Sequence, residues 1–151
     1  MVVAVAGAGI GGLVAALSLH QAGIPVRVFE AVRKVKPLGV GINILPHAVR
    51  ELFALGLEDA LLEIGVQTAA LAYFSKRGQP IWQEPRGRAA GYDWPQISIH
   101  RGRLQQLLYR TAVERLGPGN VVTGNRVEAW REGGDRVTCQ MLRQADGAQV
   151  E

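Results

Sequence analysis

The stretch that decides the fold is Val2-Val3-Ala4-Val5-Ala6-Gly7-Ala8-Gly9-Ile10-Gly11-Gly12, close to the amino terminus. Its apolar beginning, residues 2–6, has no polar face and predicts a buried parallel strand. Residues 10–22 predict a helix, because apolar side chains recur on one face and a glycine follows where helices commonly end. A second strand is predicted over residues 26–29, so the segment forms a βαβ unit with a right-handed crossover.

The turn between the first strand and the helix carries the pattern G-x-G-x-x-G, and an acid follows the second strand. Gly7 permits a tight turn, Gly9 lets the backbone approach a pyrophosphate, and Gly12 lets the helix pack closely on the strand. The pyrophosphate would lie on the unpaired amides at the positive end of the helix dipole. Glu30 lies 18 residues after Gly12, near the offset of roughly 20 residues expected for a carboxylate that binds an adenosine ribose. These features predict dinucleotide binding; they leave FAD and NAD open and argue against NADP at this site.

Composition is that of an ordinary globular protein of about one domain. Of the 151 residues, 48% are hydrophobic and 20% charged, and the longest apolar runs are shorter than the roughly 20 residues that a transmembrane helix needs. The chain begins directly with a strand, so we expect neither secretion nor a membrane partner. The single Cys139 excludes an internal disulfide, gives no reason to expect a metal site and fits the reducing cytoplasm. The net charge of +4 comes from scattered Lys and Arg residues, which argues against nucleic-acid binding.

The rest of the chain alternates helices with short strands. Helices are predicted from 46 to 56, over 58–64 and over 102–116, and strands over 71–75, 80–83, 96–99, 121–123, 126–131 and 136–142, with a further strand beginning at Val150. A doubly wound sheet needs strands on both sides of its first strand, and we count them on one side only. We therefore expect either an unusual ending or the front part of a longer chain.

Three stretches carry a resemblance to a known family. They are Gly7–Leu13 with Glu30, then Leu38-Gly39-Val40-Gly41-Ile42-Asn43-Ile44-Leu45-Pro46, and then Ile97-Ser98-Ile99-His100-Arg101-Gly102-Arg103-Leu104-Gln105. With them the chain resembles the FAD-dependent aromatic-ring monooxygenases of the para-hydroxybenzoate hydroxylase type, most of all the phenazine-1-carboxylate and salicylate hydroxylase branch. The first stretch is common to many dinucleotide binders, whereas the second and third are far more specific. The motifs Gly-Ala-Asp-Gly and Gly-Asp-Ala, which complete the flavin site in full members, do not occur before the last residue.

The resemblance implies an α/β fold. It would consist of a Rossmann-like FAD-binding βαβ parallel sheet, an antiparallel β-meander and the start of a mixed-sheet substrate region. Residues 1–67 and 100–151 would form an incomplete FAD-binding domain, and residues 68–99 would be inserted strands that belong to the substrate-domain sheet.

The resemblance also implies cofactor contacts. Arg101 would reach the pyrophosphate or ribityl region of FAD, where a guanidinium makes strong charge-assisted bonds to phosphate oxygens. Gln105, one helical turn on, would hydrogen-bond the ribityl chain, and the segment around Gly41 would run beside the isoalloxazine ring. The backbone of Val127 would meet the adenine. The full predicted set is Gly7, Gly9, Ile10, Gly11, Gly12, Leu13, Glu30, Ala31, Arg33, Gly41, Arg101, Gln105 and Val127; no catalytic side chain is assigned.

The leading hypothesis is the FAD-binding portion of a monooxygenase that hydroxylates a small aromatic compound with NAD(P)H as co-substrate and O2. Arg86 and Arg88, in a loop rich in Gly, Pro and Arg, are candidates for attracting a carboxylated substrate, against the simpler hypothesis of solvent-exposed arginines. Two alternatives stay open: an NAD-dependent dehydrogenase module, and a truncated non-catalytic dinucleotide-binding module. In the last case strand edges within residues 71–99 would be exposed, so we expect a homo-oligomer or aggregates.

Overall fold

The structure is a computed structural model and describes residues 1–150. Its contacts divide the chain into two compact units: Met1–Pro37 together with the residues from Gln105 onward, and Leu38–Leu104. The predicted division by role, with residues 68–99 assigned to a substrate domain, follows function rather than packing and stays a prediction. No helix in the described range is long and apolar enough to cross a membrane.

Helices and strands follow one another in the predicted order, with two short strands that the sequence did not predict. In chain order the elements are β1 (Val3–Ala6), α1 (Ile10–Gln21), β2 (Val26–Glu30), β3 (Gly41–Ile44), α2 (Pro46–Ala54), α3 (Glu58–Ile64), β4 (Gly65–Thr68), β5 (Ala70–Phe74), β6 (Pro80–Pro85), β7 (Gln96–His100), α4 (Arg101–Leu116), β8 (Val121–Thr123), β9 (Asn125–Gly133), β10 (Arg136–Arg143) and β11 (Gln149–Val150). The unpredicted strands are β3 and β4.

In the first unit, β1, β2 and β8 form a parallel sheet in the order β1-β2-β8. Helix α1 crosses from β1 to β2 and buries Leu13, Ala16 and Leu17 completely or nearly so. Gly23, just past the helix, has a φ of 75°, a left-handed value that residues other than glycine rarely adopt. The predicted βαβ unit is therefore present, with the helix face that the sequence pattern indicated.

The prediction that the first strand is fully buried is wrong. Along β1 the side chains alternate between half-buried and exposed, and Ala4 and Ala6 are exposed. The physical reason is the covering of the sheet face: Ala4 pairs with Arg27 of β2, which is exposed as well, so the described residues leave this part of the face open. By contrast, Val26, Val28 and Phe29 of the central strand are buried, as a strand between two neighbours should be.

The first unit also contains the predicted antiparallel meander, in the order β11-β10-β9. The hairpin between β9 and β10 closes beside Gly134, which has a φ of 63°, and Gly133 pairs with Arg136. The pairing of these strands shifts register between Gln140 and Met141.

In the second unit, β3, β7 and β4 form an antiparallel sheet in the order β3-β7-β4. Helices α2 and α3 pack on it, and the buried core includes Ile44, Val49, Leu52, Leu61 and Ile97. Strands β5 and β6 form a separate two-stranded hairpin. It exposes four large apolar side chains, those of Tyr73, Phe74, Ile81 and Trp82.

Candidate dinucleotide-binding site

Two glycines shape the turn after β1 through contacts within the protein rather than with a ligand. Gly7 has a φ of 100°, which permits the sharp exit from the strand, and its N–H donates a 2.7 Å bond to the carbonyl of Phe29. A Cβ on Gly12 would collide with the carbonyl oxygen of Gly7 and lie 3.3 Å from the side chain of Val5. Gly12 is thus needed for close packing of helix on strand, as the fingerprint predicts.

Gly9 and Gly11 differ from this pair, because a Cβ on either would meet no protein atom within 4 Å. Gly9 is the N-cap residue of α1, and no side chain of the described residues caps that helix end. The first turn of α1 contains no acidic residue that would occupy its positive end. This helix terminus therefore presents bare backbone to open space, which is the surface that an anionic group requires.

Glu30 braces the same turn. Its carboxylate accepts a 2.7 Å bond from the N–H of Ala8 through Oε2 and a 2.9 Å bond from the N–H of Val32 through Oε1. A carboxylate has about four lone-pair sites, so these two bonds leave capacity for a ribose hydroxyl. The carboxylate faces no salt-bridge partner in the described residues that would compete for it.

Gln105 of α4 also contacts the turn. Its Nε2 donates a 2.9 Å bond to the carbonyl oxygen of Ala8. Ala8 itself is fully buried, and its N–H and C=O are bonded by side chains from β2 and α4, which are distant in sequence. The family resemblance implied that Gln105 contacts the ribityl chain. That contact stays a prediction, and the structure gives this residue a bracing role that the sequence did not reveal.

A cavity of 470 Å³ lies beside the end of β2 and is lined by Ala31, Val32, Arg33, Arg126 and Gln144. Nη2 of Arg33 donates a 2.7 Å bond to the carbonyl of Gln144, which joins the βαβ unit to the meander. Arg126 and Gln144 were not predicted as site residues. Val127, predicted to meet the adenine, lies next to Arg126 on β9, where it pairs with Met141.

Two members of the predicted set, Leu13 and Ile10, have side chains that are completely or partly buried. Leu13 is completely buried, and its N–H donates a 2.9 Å bond to the carbonyl of Gly9 within the helix. Ile10 is half-buried at the first position of α1. Any contact that these two residues make with a ligand would have to pass through the backbone or the exposed part of Ile10.

Gly41 and Arg101 lie in the second unit, and their predicted contacts stay predictions. Gly41 pairs with His100 in the sheet, and a Cβ on it would meet no protein atom within 4 Å. The N–H of Arg101 donates a 3.0 Å bond to the carbonyl of Val40, and its aliphatic stem lies against Gly39. His100 accepts a 3.2 Å bond at Nδ1 from the N–H of Gly102, so its ring supports the start of α4. Among the described residues no cluster of His, Cys, Asp and Glu could hold a metal ion.

A parallel βαβ unit, a glycine turn with open backbone and an acid after the second strand define a dinucleotide-binding protein. Over residues 1–151 the sequence matches the family model described as FAD binding domain, and the chain belongs to that family. The predicted family, the α/β fold and FAD as cofactor are thereby confirmed, and FAD is favoured over the NAD-dependent alternative.

Relatives and solved structures agree with the family. The sequence is 51% identical over 127 residues to the phenazine 1,6-dicarboxylic acid hydroxylase PhzS of Lysobacter antibioticus, a match that covers 83% of this chain and 31% of that protein. Klebsiella pneumoniae HpxO, solved with FAD and uric acid, is 30% identical at a TM-score of 0.75, with 99% of this chain and 36% of that chain covered. The p-nitrophenol 4-monooxygenase PnpA of Pseudomonas putida DLL-E4 has a TM-score of 0.81 at 26% identity, with 98% and 38% covered. The chain thus spans between 31% and 38% of the length of these three proteins.

The residues present fit the adenosine diphosphate half of FAD. The bare backbone at Gly9 and Gly11 leaves space for a pyrophosphate, and the carboxylate of Glu30 retains acceptor capacity beside a cavity large enough for part of a nucleoside.

Proposed function

We propose that this chain is the FAD-binding portion of a flavin-dependent monooxygenase that hydroxylates a small aromatic compound with NAD(P)H and O2. The observation that carries the cofactor site is the open backbone at Gly9, held in place by the two side chains that grip Ala8. The reaction class rests on the relatives, whose names include a phenazine dicarboxylic acid hydroxylase and a nitrophenol monooxygenase.

When bound, the flavin would supply the redox chemistry, since it accepts a hydride from NAD(P)H and activates O2. The residues of this chain bind and orient it. The amides at the start of α1 would receive the pyrophosphate, Glu30 the adenosine ribose, and Arg33 and Arg126 would flank the adenosine end. The predicted contacts of Gly41 and Arg101 with the flavin half belong to the same proposal.

The substrate would be a small aromatic molecule. We also propose that the chain forms a homo-oligomer through the exposed hairpin β5–β6. We also propose a cytoplasmic location, because NAD(P)H is supplied there and Cys139 has no disulfide partner. Measuring O2 consumption by the native gene product with NADH and with NADPH would reveal which reductant it uses.

Equilibrium binding of FAD and ADP to the purified chain tests the cofactor site. Wild-type protein should bind both, and Glu30→Ala should weaken both by about tenfold or more, since a hydrogen bond to a charged group contributes about 1.5–3 kcal/mol. Glu128→Ala is the matched control, because Glu128 is an exposed carboxylate on β9 of the same unit. NADH binding without FAD or ADP binding, or an equal effect of the two substitutions, would refute the proposed site.

A further inference from the structure

A closed ring of hydrogen bonds borders the cavity beside the end of β2. The carbonyl of Val32 accepts a 3.0 Å bond from the N–H of Gly124, and the carbonyl of Gly124 accepts a 2.8 Å bond from the N–H of Gln144. The carbonyl of Gln144 in turn accepts the 2.7 Å bond from Nη2 of Arg33. Because Arg33 follows Val32 in the chain, these bonds close on themselves. We call this set of four residues the Arg33 ring.

The Arg33 ring joins three segments that are far apart in sequence. Val32 and Arg33 follow β2, Gly124 lies between β8 and β9, and Gln144 follows β10. The same three segments supply walls of the 470 Å³ cavity, since Val32, Arg33 and Gln144 line it together with Arg126 of β9. The bonds between the segments therefore fix how far apart the walls of this cavity stand.

Arg33 is held more firmly than an exposed arginine usually is. A long side chain on the surface keeps much of its rotamer freedom, and ordering it costs entropy. The stem of Arg33 lies against Gly124, because a Cβ added at that glycine would be 3.4 Å from Cγ of Arg33. The guanidinium then makes a charge-assisted bond to the backbone of Gln144. One side chain thus contacts both of the segments that face its own.

The Arg33 ring also reaches the carboxylate that the proposed function assigns to the ribose. The N–H of Val32 donates a 2.9 Å bond to Oε1 of Glu30, while its carbonyl accepts the bond from Gly124. Val32 therefore links Glu30 to the ring through its own backbone. Any shift of the ring would move one of the two N–H groups that hold the carboxylate.

We propose that Arg33 is a positioning residue for the adenosine end of FAD. It acts through the carbonyl of Gln144, by which it holds the turn after β10 as a wall of the cavity, and through Val32, which orients Glu30. The inference rests on the proposed function, because that function assigns the adenosine to this cavity. A wall that is formed before the ligand arrives need not be ordered on binding, which favours affinity.

Calorimetric titration of the full chain with ADP tests this role. Arg33→Met removes the donor and should weaken ADP binding by about fivefold, the effect of one ordinary hydrogen bond. Arg33→Lys keeps one donor on a long stem, and the carbonyl of Gln144 needs only one, so affinity should stay within about twofold of wild type. Lys34→Met is the matched control, because Lys34 is an exposed cation next to Arg33 that does not line the cavity; it too should stay within about twofold.

Amide hydrogen exchange in the ligand-free chain, followed by NMR, separates positioning from direct contact. In Arg33→Met the amides of Gly124 and Gln144 should exchange about fivefold faster or more, because both donate within the ring. The amide of Leu61, which donates to Leu57 in the other unit, should exchange at the wild-type rate in the same sample.

The two measurements give outcomes that can be told apart. Weaker ADP binding without faster exchange at Gly124 and Gln144 would mean that Arg33 contacts the nucleotide directly, which overturns the positioning role. The same loss of ADP affinity in Lys34→Met, or in Arg33→Lys, would overturn it as well. A wild-type chain that binds neither FAD nor ADP would refute the proposed function itself, whereas ADP binding that Arg33→Met leaves unchanged would refute only the role of Arg33.

Discussion

Gln105 and Ala8 are joined by a hydrogen bond across 97 residues of sequence: Nε2 of Gln105 donates to the carbonyl oxygen of Ala8 at 2.9 Å. On its other side, the N–H of Ala8 donates to Glu30. The fingerprint turn is therefore fixed by groups from α4 and β2 before any ligand arrives. A turn held in this way loses little conformational freedom on binding, which favours affinity.

Replacement of Gln105 should loosen the turn. Gln105→Met removes the donor and leaves the carbonyl of the buried Ala8 unpaired, which should lower the free energy of unfolding by about 1–3 kcal/mol. FAD affinity should fall as well, because the turn loosens and because the predicted bond of Gln105 to the ribityl chain is lost. Urea unfolding and FAD titration measure the two effects; unchanged values of both would show that the bond contributes nothing.

Gln105→Glu should be more destabilising than Gln105→Met at neutral pH, because an ionised carboxylate cannot donate and would face the carbonyl oxygen of Ala8. The protonated acid can donate, so the folded state should raise the pKa of this glutamate above its ordinary value of about 4.3. The stabilising bond is then present below that value and is lost as the pH rises through the folded-state pKa. Thermal melting from pH 3.5 to 7 should show the variant approach wild type only at the acid end.

Two alanine substitutions separate the glycines that the protein needs from those that a ligand needs. Gly12→Ala puts a Cβ into the carbonyl of Gly7 and should lower the stability of the ligand-free chain by about 1–3 kcal/mol. Gly9→Ala meets no protein atom and should cost at most about 1 kcal/mol as an N-cap change. It should nevertheless weaken FAD binding by about tenfold or more, because the new methyl group would lie where the pyrophosphate approaches. Equal FAD affinity in Gly9→Ala and wild type would place the pyrophosphate elsewhere.

The loop that follows β6 offers a second matched pair. Gly87 and Gly91 both have left-handed backbone angles, with φ of 55° and 88°, so alanine at either should cost about 1–2 kcal/mol of strain. Only at Gly87 would the Cβ also strike the backbone of Gln96, whereas at Gly91 it meets nothing within 4 Å. Gly87→Ala should therefore lower the free energy of unfolding by about 1–3 kcal/mol more than Gly91→Ala does. Equal urea midpoints for the two variants would contradict this loop geometry.

The sequence predicted what local patterns encode. The βαβ unit, the helix bounds at Glu58–Ile64 and the roles of Gly7 and Gly12 depend on residues close in sequence, and the structure has them. Strands β3 and β4 were missed because they are short, contain or begin with glycine, and become strands by pairing with β7.

Long-range contacts in the candidate site could not be predicted either. The bonds from Gln105 to Ala8 and from Arg33 to Gln144 join residues separated by 97 and 111 positions, and no local pattern marks them. Arg126 was overlooked although it adjoins the predicted Val127. The exposure of β1 was missed for a related reason, since whether a face of an apolar strand is covered depends on other parts of the chain rather than on its own residues.

The hairpin of β5 and β6 should make the isolated chain associate with itself. Tyr73, Phe74, Ile81 and Trp82 expose between 47% and 68% of their surface, and the two strands pair only with each other, so unpaired edges accompany exposed apolar side chains. Such a combination favours edge-to-edge association. The double substitution Phe74→Ser and Ile81→Thr, which reduces the apolar surface of the hairpin, should shift the sedimentation profile towards monomer.

Val137→Thr is the control for this experiment, because Val137 is 58% exposed on β10, an element of the other unit, and it should leave the association unchanged. Ile81→Thr and Val137→Thr each keep a β-branched side chain, so the pairing of β6 and of β10 with their neighbours should survive. Association that is equal in the double variant and in wild type, or that Val137→Thr reduces to the same extent, would mean that the hairpin is not the contact surface. A wild-type chain that sediments as a monomer at high concentration would remove the basis for a homo-oligomer built through this hairpin.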